Sequence, residues 1–126
     1  MKEFGKYLKE KRNNKKITLR QASEGLKVSI SYLSDLENGE KLPPNSKQSE
    51  YSDFMDRLIS FYELNENERK KIIELADKDL VSSGHVSNDI TSYMGDTPMA
   101  TVALRTAKEK NLSDEEWIKI IENMNK

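Results

Sequence analysis

Apolar side chains recur along the chain every three or four residues, the spacing of one face of an α-helix, and short polar breaks separate each stripe from the next. Phe4, Leu8 and Lys11 lie about one turn apart, which predicts a short amphipathic helix over 3–12 that Asn13 and Asn14 end. Thr18 is placed to N-cap a second helix, its hydroxyl accepting a first-turn N–H, with Leu19, Ala22 and Leu26 turned inward and Gly25 tolerated near the end. Ser29 caps a third, in which Tyr32, Leu33 and Leu36 face a core and Asn38 and Gly39 mark the stop. Pro43 and Pro44 then break the chain. Phe54, Leu58 and Tyr62, flanked by Met55 and Ile59, predict a fourth helix over 51–64. Asn65 caps a fifth over 66–80, whose stripe of Ile72, Ala76 and Leu80 is widened by Ile73 and Leu75.

The pattern loosens over 81–95, where Ser82, Ser83 and Gly84 read as linker and 89–94 as a single helical turn. Order returns with Asp96 or Thr97 as cap and Pro98 as the first residue of a helix carrying Met99, Val102, Ala103 and Thr106 on one face. Ser113 and Glu116 match the capping box, and Trp117, Ile120, Ile121 and Met124 form the last apolar stripe. The expected fold is all-α: a five-helix unit over 1–80, a linker over 81–95 and a helical hairpin extension over 96–126.

The length of 126 residues suits one domain with an appendage and leaves no room for an enzyme with a deep two-lobed cleft. No stretch approaches the roughly 20 apolar residues that span a bilayer, and MKEFGKYLKEKRNNKK holds no apolar run of the secretory kind, so a cytoplasmic protein without membrane contact is expected. The chain has no cysteine, hence no disulfide, thiol nucleophile or thiolate metal site. His85 is the one histidine, and no glycine-rich phosphate loop is present. Asp77, Asp79, His85 and Asp89 fit no metal-ligand spacing. The expectation is therefore a protein without catalysis or cofactor.

The segment that carries function is TLRQASEGLKVSISYLSDLENG, residues 18–39, two short helices about a turn at Lys27 and Val28. It resembles a helix-turn-helix. More closely, FGKYLKEKRNNKKITLRQASEGLKVSISYLSDLENGEKLPP resembles the lambda-repressor-like, Xre/Cro family of DNA-binding regulators. The resemblance covers roughly the first 65 to 80 residues and implies a five-helix domain whose second motif helix enters the major groove. The family usually has Gly at the ninth motif position, where the backbone favours positive φ; here it is Lys27. Ser23 replaces the usual Ala where the two helices touch, and its hydroxyl can bond back to the preceding turn. Leu19 replaces a phosphate-binding Gln, so its backbone N–H at the helix start beside Thr18 would take that role, aided by Lys15, Lys16 and Arg20. Lys27, Asn38 and Lys41 are further phosphate candidates. Base reading would fall to Ser29, Ile30, Ser31, Ser34 and Asp35, a surface without Arg, Lys, Gln or Asn. The resemblance also implies an ion pair between Arg12 and Glu37, 25 residues apart, against the plainer reading of two unrelated surface charges.

The formal net charge of −1 is an average: residues 1–45 hold 10 Lys or Arg against 6 Asp or Glu, and residues 46–126 hold 11 against 16. A cationic module with an acidic appendage favours a DNA partner electrostatically. The resemblance implies a transcriptional regulator, a repressor binding double-stranded operator DNA as a homodimer. The extension is loosely similar to those of Xre-type regulators of bacteria and mobile elements. Met99, Val102, Trp117, Ile120, Ile121 and Met124 would make the dimer contact, or the hairpin folds back on the fourth and fifth helices as core. The rival reading is an antitoxin or inhibitor that binds a protein partner through its acidic C-terminal half and autoregulates through the helix-turn-helix.

Overall fold

The computed structural model describes residues 2–45 and 48–126. The described residues form eight α-helices and no strand: α1 Glu3–Asn14, α2 Leu19–Leu26, α3 Ile30–Glu37, α4 Gln48–Phe61, α5 Glu66–Ser82, α6 Asn88–Asp96, α7 Pro98–Lys110 and α8 Asp114–Met124. No helix among them is long and apolar enough to cross a membrane. The chain divides into two compact units, residues 1–91 and 92–126, and the division falls within α6.

In the first unit α1 packs on α3 and α5, and α2 packs on α3 and α4. Their inward stripes meet in one core of Phe4, Leu8, Ala22, Leu26, Leu33, Leu36, Phe54, Leu58, Tyr62, Ile72, Ala76 and Leu80, each at most 1% exposed. The apolar spacing read from the sequence is thus the packing surface. Gly5 lets α1 cross α3 closely: a Cβ there would lie 1.9 Å from the Leu36 carbonyl oxygen.

Several helices differ from the sequence expectation: α4 starts at Gln48 rather than 51, α5 runs to Ser82 rather than 80, and three further differences have a physical cause. Asn13 and Asn14 stay helical, because α1 is closed by Lys16 in the left-handed region, φ 55°, with Lys16 N–H on the Asn13 carbonyl and Ile17 N–H on that of Arg12. The core contact of Ile17 then outweighs the weak helix propensity of asparagine. Glu63, φ 52°, ends α4 at Phe61. Within 81–95, read as linker with a single turn, Asn88–Asp96 makes a nine-residue helix. Its first turn, still within the first unit, is tied to Asn45, a contact between residues 43 apart that no local pattern reveals.

The start of α1 has no cap of its own: Lys2 makes no side-chain cap bond. The buried Asp79 carboxylate of α5 supplies one, accepting the Phe4 N–H at 3.0 Å and the Glu3 N–H at 3.3 Å. A negative charge beside free N–H groups at the positive end of a helix is favourable on both counts. Asp79 is therefore a long-range cap.

In the second unit the Ser113–Glu116 capping box opens α8 as the sequence predicts, while Thr97 precedes Pro98 without a side-chain cap bond. Ala107 is the buried apolar residue of α7, at 7% exposure. Met99, Val102, Leu104, Ile118, Ile120, Ile121 and Met124 are exposed, and Trp117 is half-buried.

Candidate nucleic-acid interface

Two eight-residue helices, α2 and α3, meet about a three-residue turn, Lys27 to Ser29. α2 starts at a complete capping box: Thr18 Oγ1 accepts the Gln21 N–H at 3.1 Å, and Gln21 Oε1 accepts the Thr18 N–H at 2.9 Å. It ends with Lys27 left-handed, φ 57° and ψ 44°, its N–H on the Glu24 carbonyl and the Val28 N–H on that of Ser23. Val28 packs on the core and Ser29 immediately caps α3, its hydroxyl accepting the Tyr32 N–H at 3.0 Å. Left-handed Lys27 and extended Ser29, φ −71° and ψ 154°, thus redirect the chain from α2 into α3.

Three contacts that sequence reasoning missed hold this turn. Arg57 of α4 donates through Nε to the Leu26 carbonyl at 2.9 Å, satisfying an orphan acceptor at the end of α2. A Cβ on Gly25 would sit 2.1 Å from the Phe61 ring, so this glycine, expected to be merely tolerated, lets α2 and α4 close together. Tyr32 donates its hydroxyl to the Leu42 carbonyl, tying α3 to the loop that follows it. Burial, then the charge of Glu50, pushes the Tyr32 phenol up, so it remains a donor at any ordinary pH. Only the Gly25 spacing left a trace in the sequence, as a glycine inside a helix.

Ser23, 4% exposed, donates its hydroxyl back to the Arg20 carbonyl at 2.8 Å. Arg12 and Glu37 form a two-pronged pair, Nε to Oε2 at 2.8 Å and Nη2 to Oε1 at 3.0 Å, and Arg12 Nη1 donates to the Ile17 carbonyl at 3.1 Å. Their side chains are 14% and 3% exposed. One guanidinium therefore fixes the end of α3 against α1 and the α1–α2 turn. The Tyr62 phenol lies close enough to be pushed up to about 12, by burial first and then by the Glu37 charge.

Around this frame Lys15, Lys16, Thr18, Arg20, Lys27, Asn38 and Lys41 are exposed. Leu19 is half-buried and its side chain packs on the core, which leaves its backbone at the start of α2. On α3, Ser29, Ile30 and Ser31 are exposed, while Ser34 and Asp35 are half-buried. Ile30, Ser31, Ser34 and Asp35 fall within an arc of about 140° of the helix, opposite the buried Leu33 and Leu36. Lys11 points elsewhere, paired with Glu68 of α5 and standing 5.2 Å from the Tyr7 ring.

Two helices set by a left-handed turn and backed by a third through a buried ion pair define a helix-turn-helix. Residues 3–72 match the family model of the helix-turn-helix domain, and the chain belongs to this DNA-binding family. The match runs from the first residue of α1 into α5, so it includes the motif and the helices that support it. Comparison with curated proteins and with solved structures gives no match.

Proposed function

We propose that this chain is a cytoplasmic, lambda-repressor-like regulator of the Xre/Cro type, a repressor that binds operator DNA as a homodimer without cofactor or catalysis. The observation that carries the reading is the clamped motif itself, with α3 held by the Arg12–Glu37 pair while Ser29, Ile30 and Ser31 remain exposed. A helix presented in this way fits the major groove of B-DNA, about 12 Å wide. Ile30 packs on a thymine methyl, the serines bond to base edges, and Asp35 accepts from a cytosine amino group. Lys15, Lys16, Thr18, Arg20, Lys27 and Lys41, the backbone amide of Leu19 at the start of α2, and Asn38 hold phosphates and set the register. Residues 1–80 act as the reading module and 96–126 as the dimerising one, through Met99, Val102, Trp117, Ile120, Ile121 and Met124, so that two half-sites lie about 34 to 36 Å apart.

Titration of the purified chain onto the DNA upstream of its own gene, at several salt concentrations, tests the reading. Salt-sensitive binding that prefers this DNA over a scrambled duplex is expected, and no such preference at any concentration sinks it.

A second reading rests on one observation: α7 and α8 carry a set of exposed apolar residues, with Met99 at 69% and Met124 at 71% exposure. An antitoxin or inhibitor would use that surface for a protein partner. A stable one-to-one heterocomplex lost on substitution within 96–126 favours this reading, and a homodimer alone favours the first.

A further inference from the structure

We infer that the cleft between the start of α1 and the ends of α3 and α5 seats a backbone phosphate of DNA, with Lys2 and Lys6 as its cations, which rests on the DNA-binding reading and extends that interface to a helix outside the motif.

The cleft measures about 630 Å³ and lies wholly within the first unit. Lys2 and Lys6 border it from α1, Asn38 and Gly39 from the end of α3, and Ser82 and Ser83 from the end of α5. Close backbone approach brings these segments together. Gly5 sets α1 against the Leu36 carbonyl, and Gly39, at φ 78°, turns the chain beside Lys2, so that a Cβ on Gly39 would stand 3.3 Å from the Lys2 Cβ.

The acceptors around the cleft are already used. Glu37 also borders it, but both its carboxylate oxygens hold Arg12. Asp79 is turned to the Glu3 and Phe4 N–H groups, so the first amides of α1 take no part either. The carbonyls that end α3 and α5 are met by backbone amides: Asp35 by Glu40, Leu36 by Gly39, Asp79 by Ser83 and Leu80 by His85. The donors are not matched in this way. Among the described residues neither Lys2 nor Lys6 makes an ion pair. Asn38 and Ser83, both exposed, add neutral donors beside them. Two cations at a concave site whose acids are neutralised or hydrogen-bonded attract an anion.

The place of the cleft selects which anion. Asn38 continues the spiral of α3 at φ −86° and falls within the arc that Ile30, Ser31, Ser34 and Asp35 occupy, so the cleft opens where the reading face ends. Asn38 stands about 12 Å along the axis from Ile30. A helix that enters the major groove by its first turn has left the base edges at that distance and meets the sugar-phosphate backbone. Lys2 and Lys6 then grip from α1 the strand that Asn38 and Lys41 approach from the loop.

The test uses the full chain carrying Lys2→Ala, Lys6→Ala, both together, or Lys78→Ala, each checked for an unchanged helical spectrum, on the DNA upstream of its own gene. Lys78 is a lysine outside the cleft, paired with Glu74 at 3.0 Å. Lys2→Ala and Lys6→Ala are each expected to lower the slope of log affinity against log salt by about 1 per protomer, and the double variant by about 2, with Lys78→Ala unchanged. Neutral methylphosphonate is then placed at one backbone position at a time. One position in each half-site is expected to cost the wild type about three- to tenfold in affinity and the double variant nothing. A slope unaltered in the double variant, or a lowered slope with no phosphate position coupled to the two lysines, overturns the seat. Amide shifts at Gly39 and Ser83 on adding inorganic phosphate, together with an unaltered slope, overturn it in favour of a small phosphorylated ligand. Wild-type protein that binds no DNA overturns the parent reading instead, and that result is visible before any variant is compared.

Discussion

Lys27 shows how one residue carries two opposed demands. It occupies the left-handed conformation at φ 57°, where a side chain costs about 1 kcal/mol or more relative to glycine, yet it presents a cation next to the recognition helix. Lys27→Gly should therefore raise stability to denaturant by about 1 kcal/mol, less the extra freedom glycine gives the unfolded chain, while DNA binding weakens. A variant that loses stability would show that the Lys27 stem makes contacts worth more than the strain. Arg12 and Glu37 make the opposite case, since both are largely buried and each needs the other. Arg12→Met should cost about 3 kcal/mol by leaving the Glu37 carboxylate without a partner, and Arg12→Met with Glu37→Leu should recover much of it, as a double-mutant cycle in urea would measure. The positive φ at Lys27 and the partnership of Arg12 with Glu37 were legible because a known pattern supplies both. Asp79 was not: in sequence it is one acid among several, and its role depends on a helix start 75 residues away.

At the scale of elements, the chain repeats one joint. Lys16-Ile17-Thr18, Lys27-Val28-Ser29, Glu63-Leu64-Asn65 and Asn111-Leu112-Ser113 each place a non-glycine residue at positive φ, then an apolar residue, then the N-cap of the next helix. The apolar residue donates its N–H to the carbonyl five residues back, and Ile17, Val28 and Leu64 also pack on the core, so a single step ends one helix and starts another. The caps at Thr18, Ser29, Asn65 and Ser113 could be read because Ser, Thr and Asn before an apolar stripe are strong signals; of the stops only Lys27 could, through the family pattern, because no glycine marks Lys16, Glu63 or Asn111. α6 was underestimated for a related reason. It has no buried apolar residue to set a period, and its first turn is held by polar contacts. Asp77 of α5, acted on by the charge of Asp89 in α6, gives this part of the fold a pH dependence. Burial, then the Asp89 charge, holds the Asp77 carboxyl above its ordinary value, partly offset by Ser87, so the native state takes up that proton more readily than the unfolded chain. The penalty is fully present at neutral pH, is relieved as pH falls through the raised value, and is gone below the unfolded value of about 3.8. Asp77→Asn should thus raise the melting temperature at pH 7 and lose that advantage in acid, and a constant difference across the range would refute the assignment.

Over the whole molecule, the near-neutral total conceals +4 over residues 1–45 and −5 over residues 46–126, which is why composition alone speaks against a nucleic-acid partner and the distribution speaks for one. Lys15, Lys16, Lys27 and Lys41 flank α2 and α3, Arg20 lies in α2 and no cation lies within α3, so on the proposed reading phosphate contacts would dominate affinity and base contacts would add little. For a protein of this kind the logarithm of affinity falls with the logarithm of salt by about 0.9 per phosphate neutralised. Each of Lys15, Lys16, Arg20, Lys27 and Lys41 that touches DNA should lower that slope by about 1 per protomer when changed to alanine, leaving the ratio of specific to non-specific binding intact. Ile30→Ala should do the reverse, narrowing the ratio at an unchanged slope. One motif supplies too few such contacts, so the slope of the whole assembly should be about twice that of a monomer. Ile121→Glu, which sets a charge in the exposed apolar stripe of α8 without touching the first unit's core, should halve it if the second unit dimerises the protein. An unchanged slope, with a monomeric mass by sedimentation, would instead assign the apolar stripe of α8 to the capture of a different protein.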